Sequence, residues 1–265
     1  MTRRRGRRPS GVRARAVGAA PALLAVLAVL AGGCGGDGSQ PAQTTPPTGL
    51  PQGAEPVRLD PANFTTKVDN PYWPLTPGSV WVYADTEARG AHDRDVVRVL
   101  RRTKVVAGVR ALVVHDRATH GSRLVEDTFD WFAQDREGNV WYLGEATQSY
   151  AGGKPASTAG SWEAGVHGAQ AGIVMPARPA PGVQYRQEYR KGTAEDRARV
   201  LSVDDQVQAP AGHFRNALLT KEFSPLEPND LEYKLYAKGV GLIRAIGVSG
   251  DLSVEALVSY RKGGG

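Results

Sequence analysis

The chain has almost no sulfur chemistry to offer: Cys34 is its single cysteine. An intramolecular disulfide is therefore excluded, and cysteine-based zinc sites and thiolate catalysis go with it once Cys34 is assigned another role. Familiar catalytic signatures are missing as well. There is no Gly-x-Ser-x-Gly elbow, His-Glu-x-x-His pair, phosphate-binding loop or EF-hand calcium loop. Gly239-Val240-Gly241 lacks the third glycine of a dinucleotide fingerprint, and the serine–lysine spacing of Ser259 and Lys262 stands without companion motifs. His92, His115, His120, His167 and His213 are scattered without ligand spacing, so neither a metal nor a cofactor is expected. No fixed-period repeat is found, and no capped amphipathic helical pattern follows residue 34.

A long basic run is also absent beyond Arg15. The formal charge of +6 is produced by seven arginines between Arg3 and Arg15, a stretch with no acids up to Cys34. The remainder holds 33 − 7 = 26 bases against 27 acids, a net of −1. Nucleic acid is accordingly not expected as a partner.

What is present begins with that arginine-rich segment. It is followed by an apolar run over residues 16–31, carrying Leu23, Leu24, Val26, Leu27, Val29 and Leu30 and broken by Pro21. At 16 residues the run is shorter than the roughly 20 a spanning helix needs. Charged, apolar and small-residue regions in this order describe a secretory signal. Leu30-Ala31-Gly32-Gly33-Cys34 resembles the lipobox of bacterial lipoproteins. That resemblance implies a signal peptide over 1–33, a diacylglyceryl group on the Cys34 thiol, and an extracytoplasmic protein anchored to the cell membrane through that lipid. Arg3-Arg4 hints at twin-arginine export, but the hydrophobic residues expected just after the pair are missing.

Residues 34–58 read as the lipidated cysteine and a flexible tether, rich in Gly, Ser, Gln, Thr and Pro. As a coil the tether spans about 25–30 Å. From residue 59 to 265 the texture is that of one β-rich domain. Short β-type runs at 80–83, 96–106, 110–117, 123–134, 140–144, 184–189, 199–207, 213–223, 231–237, 240–246 and 254–260 are separated by Gly, Pro, Asn and Asp turns. The expectation is an all-β, mainly antiparallel fold. It would be a single curved sheet or incomplete β-barrel of about eleven strands, with a long Gly/Pro-rich insertion at 144–181. Such an insertion is either an irregular crossover or a functional rim.

Along 123–134, alternation puts Glu126, Thr128, Asp130, Phe132 and Gln134 on one face and Asp127, Phe129, Trp131 and Ala133 on the other. The second face is the better core candidate, which makes the acidic face a solvated exterior in the plainer reading. If instead it faces a concave interior, Glu126 or Asp130 can pair with Glu145 or Glu188 to bind a cation, hold an amine or work as acid and base. Trp81, Trp131, Trp141 and Trp162 with the neighbouring tyrosines offer an aromatic wall, or simply core filling.

Four stretches resemble segments of an uncharacterised family of secreted bacterial proteins. They are Asn70-Pro71-Tyr72-Trp73-Pro74-Leu75; Asp130 to Asp135 with Gly138 to Tyr142; Gly160-Ser161-Trp162-Glu163-Ala164-Gly165; and Tyr236 to Leu242. No activity is implied by that resemblance. The architecture is loosely similar to the half-barrels of envelope lipoproteins that carry lipids. Together these readings favour a non-catalytic envelope lipoprotein that binds a lipophilic or amphiphilic ligand on the concave sheet face. Glu126, Asp130, Trp131, Trp141, Glu145, Trp162, Glu163 and Glu188 are the candidate contacts. The alternatives are a small enzyme using Glu126, Asp130, Glu145 and Glu188, and a scaffold that meets a protein partner through an open sheet edge.

Overall fold

The computed structural model describes residues 49–85, 93–250 and 252–264. The signal segment, Cys34, the tether up to residue 48 and His92 lie outside the described residues. After a 3-10 turn at Pro61–Asn63 come β1 (Phe64–Thr65), β2 (Val80–Asp85), β3 (Asp93–Val106), β4 (Val109–His120), β5 (Arg123–Asp135) and β6 (Val140–Ala151). They are followed by β7 (Lys154–Ser157), β8 (Trp162–Glu163), β9 (Gln170–Met175), β10 (Gln184–Arg186) and β11 (Glu188–Tyr189). The last five are β12 (Arg197–Ala209), β13 (Gly212–Ser224), β14 (Glu227–Ala237), β15 (Gly241–Ser249) and β16 (Val254–Arg261).

All eleven expected runs are strands, and every ladder is antiparallel. The sheet runs β10-β12-β13-β14-β15-β16-β2-β3-β4-β5-β6-β9-β11, with β1, β7 and β8 attached at its side. The class is all-β, as the alternation of runs and turns predicts. The strand number rises to sixteen among the described residues, because short pieces are recruited that carry no periodic signal of their own. The Gly/Pro-rich stretch is less irregular than its composition implies. It contributes β7 and β8 beside β6, and its apolar run Ile173-Val174-Met175 ends β9, buried on the far side of β6.

The two ends of the path are pieces of one segment. β10 pairs with β12 and β11 pairs with β9, and only Gln187 lies between them. The break occurs where the backbone N–H of Gln187 turns to the Asp196 carbonyl at 2.8 Å. The sheet is thus curled until its two edges share residues 184–189, yet no ladder joins β10 to β11 and it is not a closed barrel. Bulges, at Val99/Thr103 and Trp131/Phe132 among others, supply the bending.

Two further devices hold this curl. Arg186 is 1% exposed, and its guanidinium donates to the carbonyls of Glu55 (2.8 Å), Ala171 (2.8 Å) and Gly53. Residues 49–58, read from sequence as tether, are therefore held against the domain. Gly172 lets β9 approach the shared segment closely. A Cβ there would sit 2.3 Å from the Gln187 carbonyl oxygen and 2.6 Å from that of Arg186. Replacing Gly172 by Ala is predicted to force these backbones apart. It should cost at least about 2 kcal/mol of unfolding free energy, measurable by urea denaturation with no change in secondary-structure signal at zero denaturant.

Candidate functional site

The concave side of the sheet differs from the expectation at its centre. On β5, Glu126, Thr128 and Asp130 are all buried, whereas Asp127 and Phe129 on the other face are half-exposed. The acidic face points inward; of the face taken for core, Trp131 and Ala133 are buried while Asp127 and Phe129 point outward. There Phe129 stacks on His115 with ring centroids 4.4 Å apart, and the Arg102 guanidinium lies 4.8 Å above it. The reason is that other strands bring polar partners to the interior, which the pattern of one strand does not report. Nine carboxyl residues are buried among the described residues: Asp95, Asp116, Glu126, Asp130, Asp135, Glu145, Glu188, Glu222 and Glu255. Against them only Arg186 and Lys234 are buried bases, so the interior is strongly acidic in composition.

Tyr142, Asp130 and Glu145 form the first interior group. Tyr142 and Glu145 are three residues apart and would face opposite sides of a regular strand. An extra residue in β6 prevents this: Trp131 opposes Gly144 while Phe132 opposes Tyr142, so the strand bulges at Leu143-Gly144. Gly144 has φ +137°, and a Cβ on it would lie 2.4 Å from the Trp162 carbonyl oxygen. The bulge brings Glu145 opposite Asp130 and leaves both beside Tyr142. The Tyr142 hydroxyl oxygen is 2.7 Å from Asp130 Oδ1 and 2.7 Å from Glu145 Oε2. A phenol has one proton to donate. Two such short contacts therefore require that one carboxyl keeps its own proton and donates it to the phenol oxygen. Burial, reinforced by Asp130 and Glu188, pushes Glu145 well above the usual carboxylate range against the pull of the Tyr142 hydrogen bond, which favours Glu145 as the holder.

Glu188 is fully buried, and neither carboxyl oxygen has a hydrogen bond of ordinary geometry. Burial raises it strongly and nearby Asp196 adds to this, while the Trp162 indole N–H and Lys234 oppose it. Asp196 is pushed up to about 7 by burial, with Glu222 and Glu227 adding against the Ser224 hydroxyl and Lys234. The second group is centred on Glu222, which accepts from Lys234 Nζ at 2.6 Å and from the Tyr236 hydroxyl at 3.0 Å. Lys234 also lies 3.2 Å from Glu232. Burial pulls the lysine down, but Glu222 and Glu232 outweigh it and hold Lys234 well above its usual range.

A pocket of about 70 Å³ opens beside these groups. Trp73, Trp81, Tyr83, Phe132 and Tyr236 give it aromatic walls, while Asp116, Asp130 and Lys234 give it charged ones. The strap carrying Trp73 is fixed by Asn70, 3% exposed, which donates from Nδ2 to the carbonyls of Gly138 and Pro176 at 3.0 and 3.1 Å. Asn70 Oδ1 accepts from the Tyr72 N–H at 3.0 Å, and the strap closes with Leu75 N–H on the Val68 carbonyl at 3.0 Å. Trp73 then meets Phe132 edge-on at 5.8 Å and Tyr236 at 5.9 Å. Across the pocket, Trp81 Nε1 donates to the Val240 carbonyl at 2.7 Å and the Tyr83 hydroxyl to that of Leu242 at 3.1 Å. These bonds preset the aromatic rings before anything enters.

The sequence candidates divide between the two faces. Glu126, Asp130, Glu145, Trp162 and Glu188 are interior, and Trp162 stands edge-on to Tyr142 at 5.2 Å. Of these, Asp130 lines the pocket itself. Trp131, Trp141 and Glu163 belong elsewhere. Lys104 Nζ lies 3.3 Å above the outward Trp131 ring and 2.7 Å from Glu163. Trp141 donates to Asp135 at 2.8 Å and packs on Phe64. The pocket residues not singled out from sequence are Trp73, Tyr83, Asp116, Phe132, Lys234 and Tyr236. A signal for Trp73, Phe132 and Tyr236 lay in the quoted stretches 70–75, 130–142, 160–165 and 236–242, which converge around this pocket and the Tyr142 group; Tyr83, Asp116 and Lys234 lie outside them. Among the described residues no cluster of His, Cys, Asp and Glu is arranged to hold a metal ion.

Protonated interior carboxyls set a sign for pH dependence. Glu145, Glu188 and Asp196 have raised values in the folded chain, so that state binds more protons than the unfolded one above the ordinary carboxylate range near about 4. Stability is then greatest at the acid end of the window and falls as pH rises through the raised values, near 7 for Asp196. Thermal unfolding is predicted to occur higher at pH 5 than at pH 8, by on the order of 5 °C. Replacing Glu145 by Gln, which keeps a donor for Tyr142, should flatten that slope; a slope unchanged in the variant would place the proton elsewhere.

No protein-family model matches the chain, and no curated protein matches it. Two solved structures are similar in shape. A protein assigned as exported, with a YmcC-like fold, from Bacteroides fragilis is 14% identical over 73% of this chain and 100% of its own, with a TM-score of 0.44. A protein assigned as a lipoprotein, from Parabacteroides distasonis, is 14% identical over 72% of this chain and 99% of its own, with a TM-score of 0.43.

Proposed function

We propose that this protein is an extracytoplasmic lipoprotein, anchored to the cell membrane through lipid on Cys34, whose β domain binds a small amphiphilic molecule at its concave face. The location rests on the arginine-rich, apolar and Leu30-to-Cys34 regions of the sequence. The binding role rests on one observation above all, the pocket with preset aromatic walls and charged residues at one side. Concave, largely apolar sites with a few placed polar groups are the usual form of small-molecule sites.

An acid–base enzyme is less well supported, because Asp130 alone of the four candidate carboxyls reaches the pocket wall, while Glu145 shares its proton with Tyr142. A scaffold acting through an open sheet edge is also less well supported. The end strands β10 and β11 are three and two residues long, which leaves little edge for a partner strand.

The binding role is tested on a chain starting at Gly35, which keeps every described element of the sheet. After expression in a bacterial host, native and denaturing mass spectra should differ by one small organic molecule. Val97 lines the pocket, and Val97→Phe fills it; in this variant the adduct should be lost while the circular dichroism stays unchanged. An adduct retained by the filled variant would remove the pocket from the reading. Radiolabelled palmitate incorporated by the full-length chain, and not by Cys34→Ser, checks the anchor.

A further inference from the structure

We infer that the polar end of the ligand is a cation, an ammonium-type head group held between Asp116 and Asp130 and against the aromatic faces of the pocket. This rests on the pocket being the ligand site, as proposed above, and adds the charge that it selects.

Three observations on the pocket wall lead there. First, its two carboxyl residues, Asp116 and Asp130, come from adjacent strands and are 3% and 5% exposed. Their places in the ladder, Val114 opposite Asp130 with Asp116 two residues on, put both on the concave face. Second, the cation in the wall is already engaged. Lys234 Nζ is 2.6 Å from Glu222 and 3.2 Å from Glu232, so its charge is answered by carboxylates of β13 and β14 and is not available to a guest anion. Third, fully buried Glu188, without a hydrogen bond of ordinary geometry, acts electrostatically on both Asp130 and Lys234 from behind the wall. The wall therefore offers a guest two carboxyls and no unengaged cation.

An anionic head group would meet Asp116 and Asp130 directly in a site of low dielectric, where like charges repel strongly. A cation instead gains charge-assisted hydrogen bonds from the carboxyls and attraction from the faces of Trp73, Trp81, Tyr83, Phe132 and Tyr236. Size agrees with a head group and not with a whole amphiphile. A pocket of about 70 Å³ takes an ammonium and a few methylenes, and since it opens to solvent the rest of the ligand extends out past the strap.

The test uses hexylammonium, hexanol and hexanoate, which share one tail and differ in the charge of the head. Binding to the chain starting at Gly35 is followed by calorimetry and by tryptophan fluorescence, since Trp73 and Trp81 line the pocket. Hexylammonium is expected to bind at least about tenfold more tightly than either of the others, the scale of one hydrogen bond to a charged group. Asp116→Asn and Asp130→Asn should each weaken hexylammonium about tenfold and leave hexanol unchanged. Hexanol or hexanoate binding as tightly as hexylammonium would overturn the cation assignment while leaving the pocket as the site. Failure of all three to bind, together with no adduct in the native spectra, would overturn the pocket reading and the cation assignment with it.

Discussion

The hydrogen bonds of the Tyr142 hydroxyl to Asp130 and Glu145, 2.7 Å each, are the contacts on which the interior of this protein depends. A carboxylate taken out of water without partners costs several kcal/mol. The curved sheet meets that cost by sharing protons between carboxyl groups and by directing tyrosine and lysine donors at them. Glu145 stays neutral, Tyr142 serves both carboxyls, and Glu222 takes Lys234 and Tyr236. These groups are spread over four strands, so the polar interior exists only when β5, β6, β13 and β14 are curled around the same space. Stability and site are coupled by that geometry.

The curl depends in turn on close backbone approaches at two glycines. Gly144 allows the bulge that turns Tyr142 and Glu145 to one side, and Gly172 lets β9 come against the segment that also pairs with β12. With both edges of the sheet tied to residues 184–189, the molecule avoids the long unpaired edges that make open sheets prone to association. The strap at residues 68–75 then packs over Phe132 and Tyr236, beside the pocket that Asp116 and Asp130 line.

Charge is segregated in a way that a total hides. Past Cys34 the chain is formally −1, yet nine carboxyl residues and two bases are buried, a formal −7 inside. On the outward sides of β3 and β4, by contrast, Arg94, Arg98, Arg102 and Arg117 are exposed.

Much of the architecture was legible in the residues because its causes are local. Alternation with a period of two and turns at Gly, Pro, Asn and Asp mark strands wherever they occur, and all eleven marked runs are strands. The short pieces β1, β7, β8 and β9 were not marked, since neighbours recruit them and their own pattern is weak. Alternation likewise shows that Glu126, Thr128 and Asp130 share a face, but not which way that face turns. Burial of Phe129 along with Trp131, with the carboxyls left outside, would have been the simpler solution. Tyr142, displaced by a one-residue bulge, and Lys234, about a hundred positions further on, made the opposite one possible. The sequence by itself determined the strands, and its single cysteine excluded an intramolecular disulfide. Only the tertiary structure decided which carboxyls are inside, because a buried charge is tolerated only where distant strands deliver its partners.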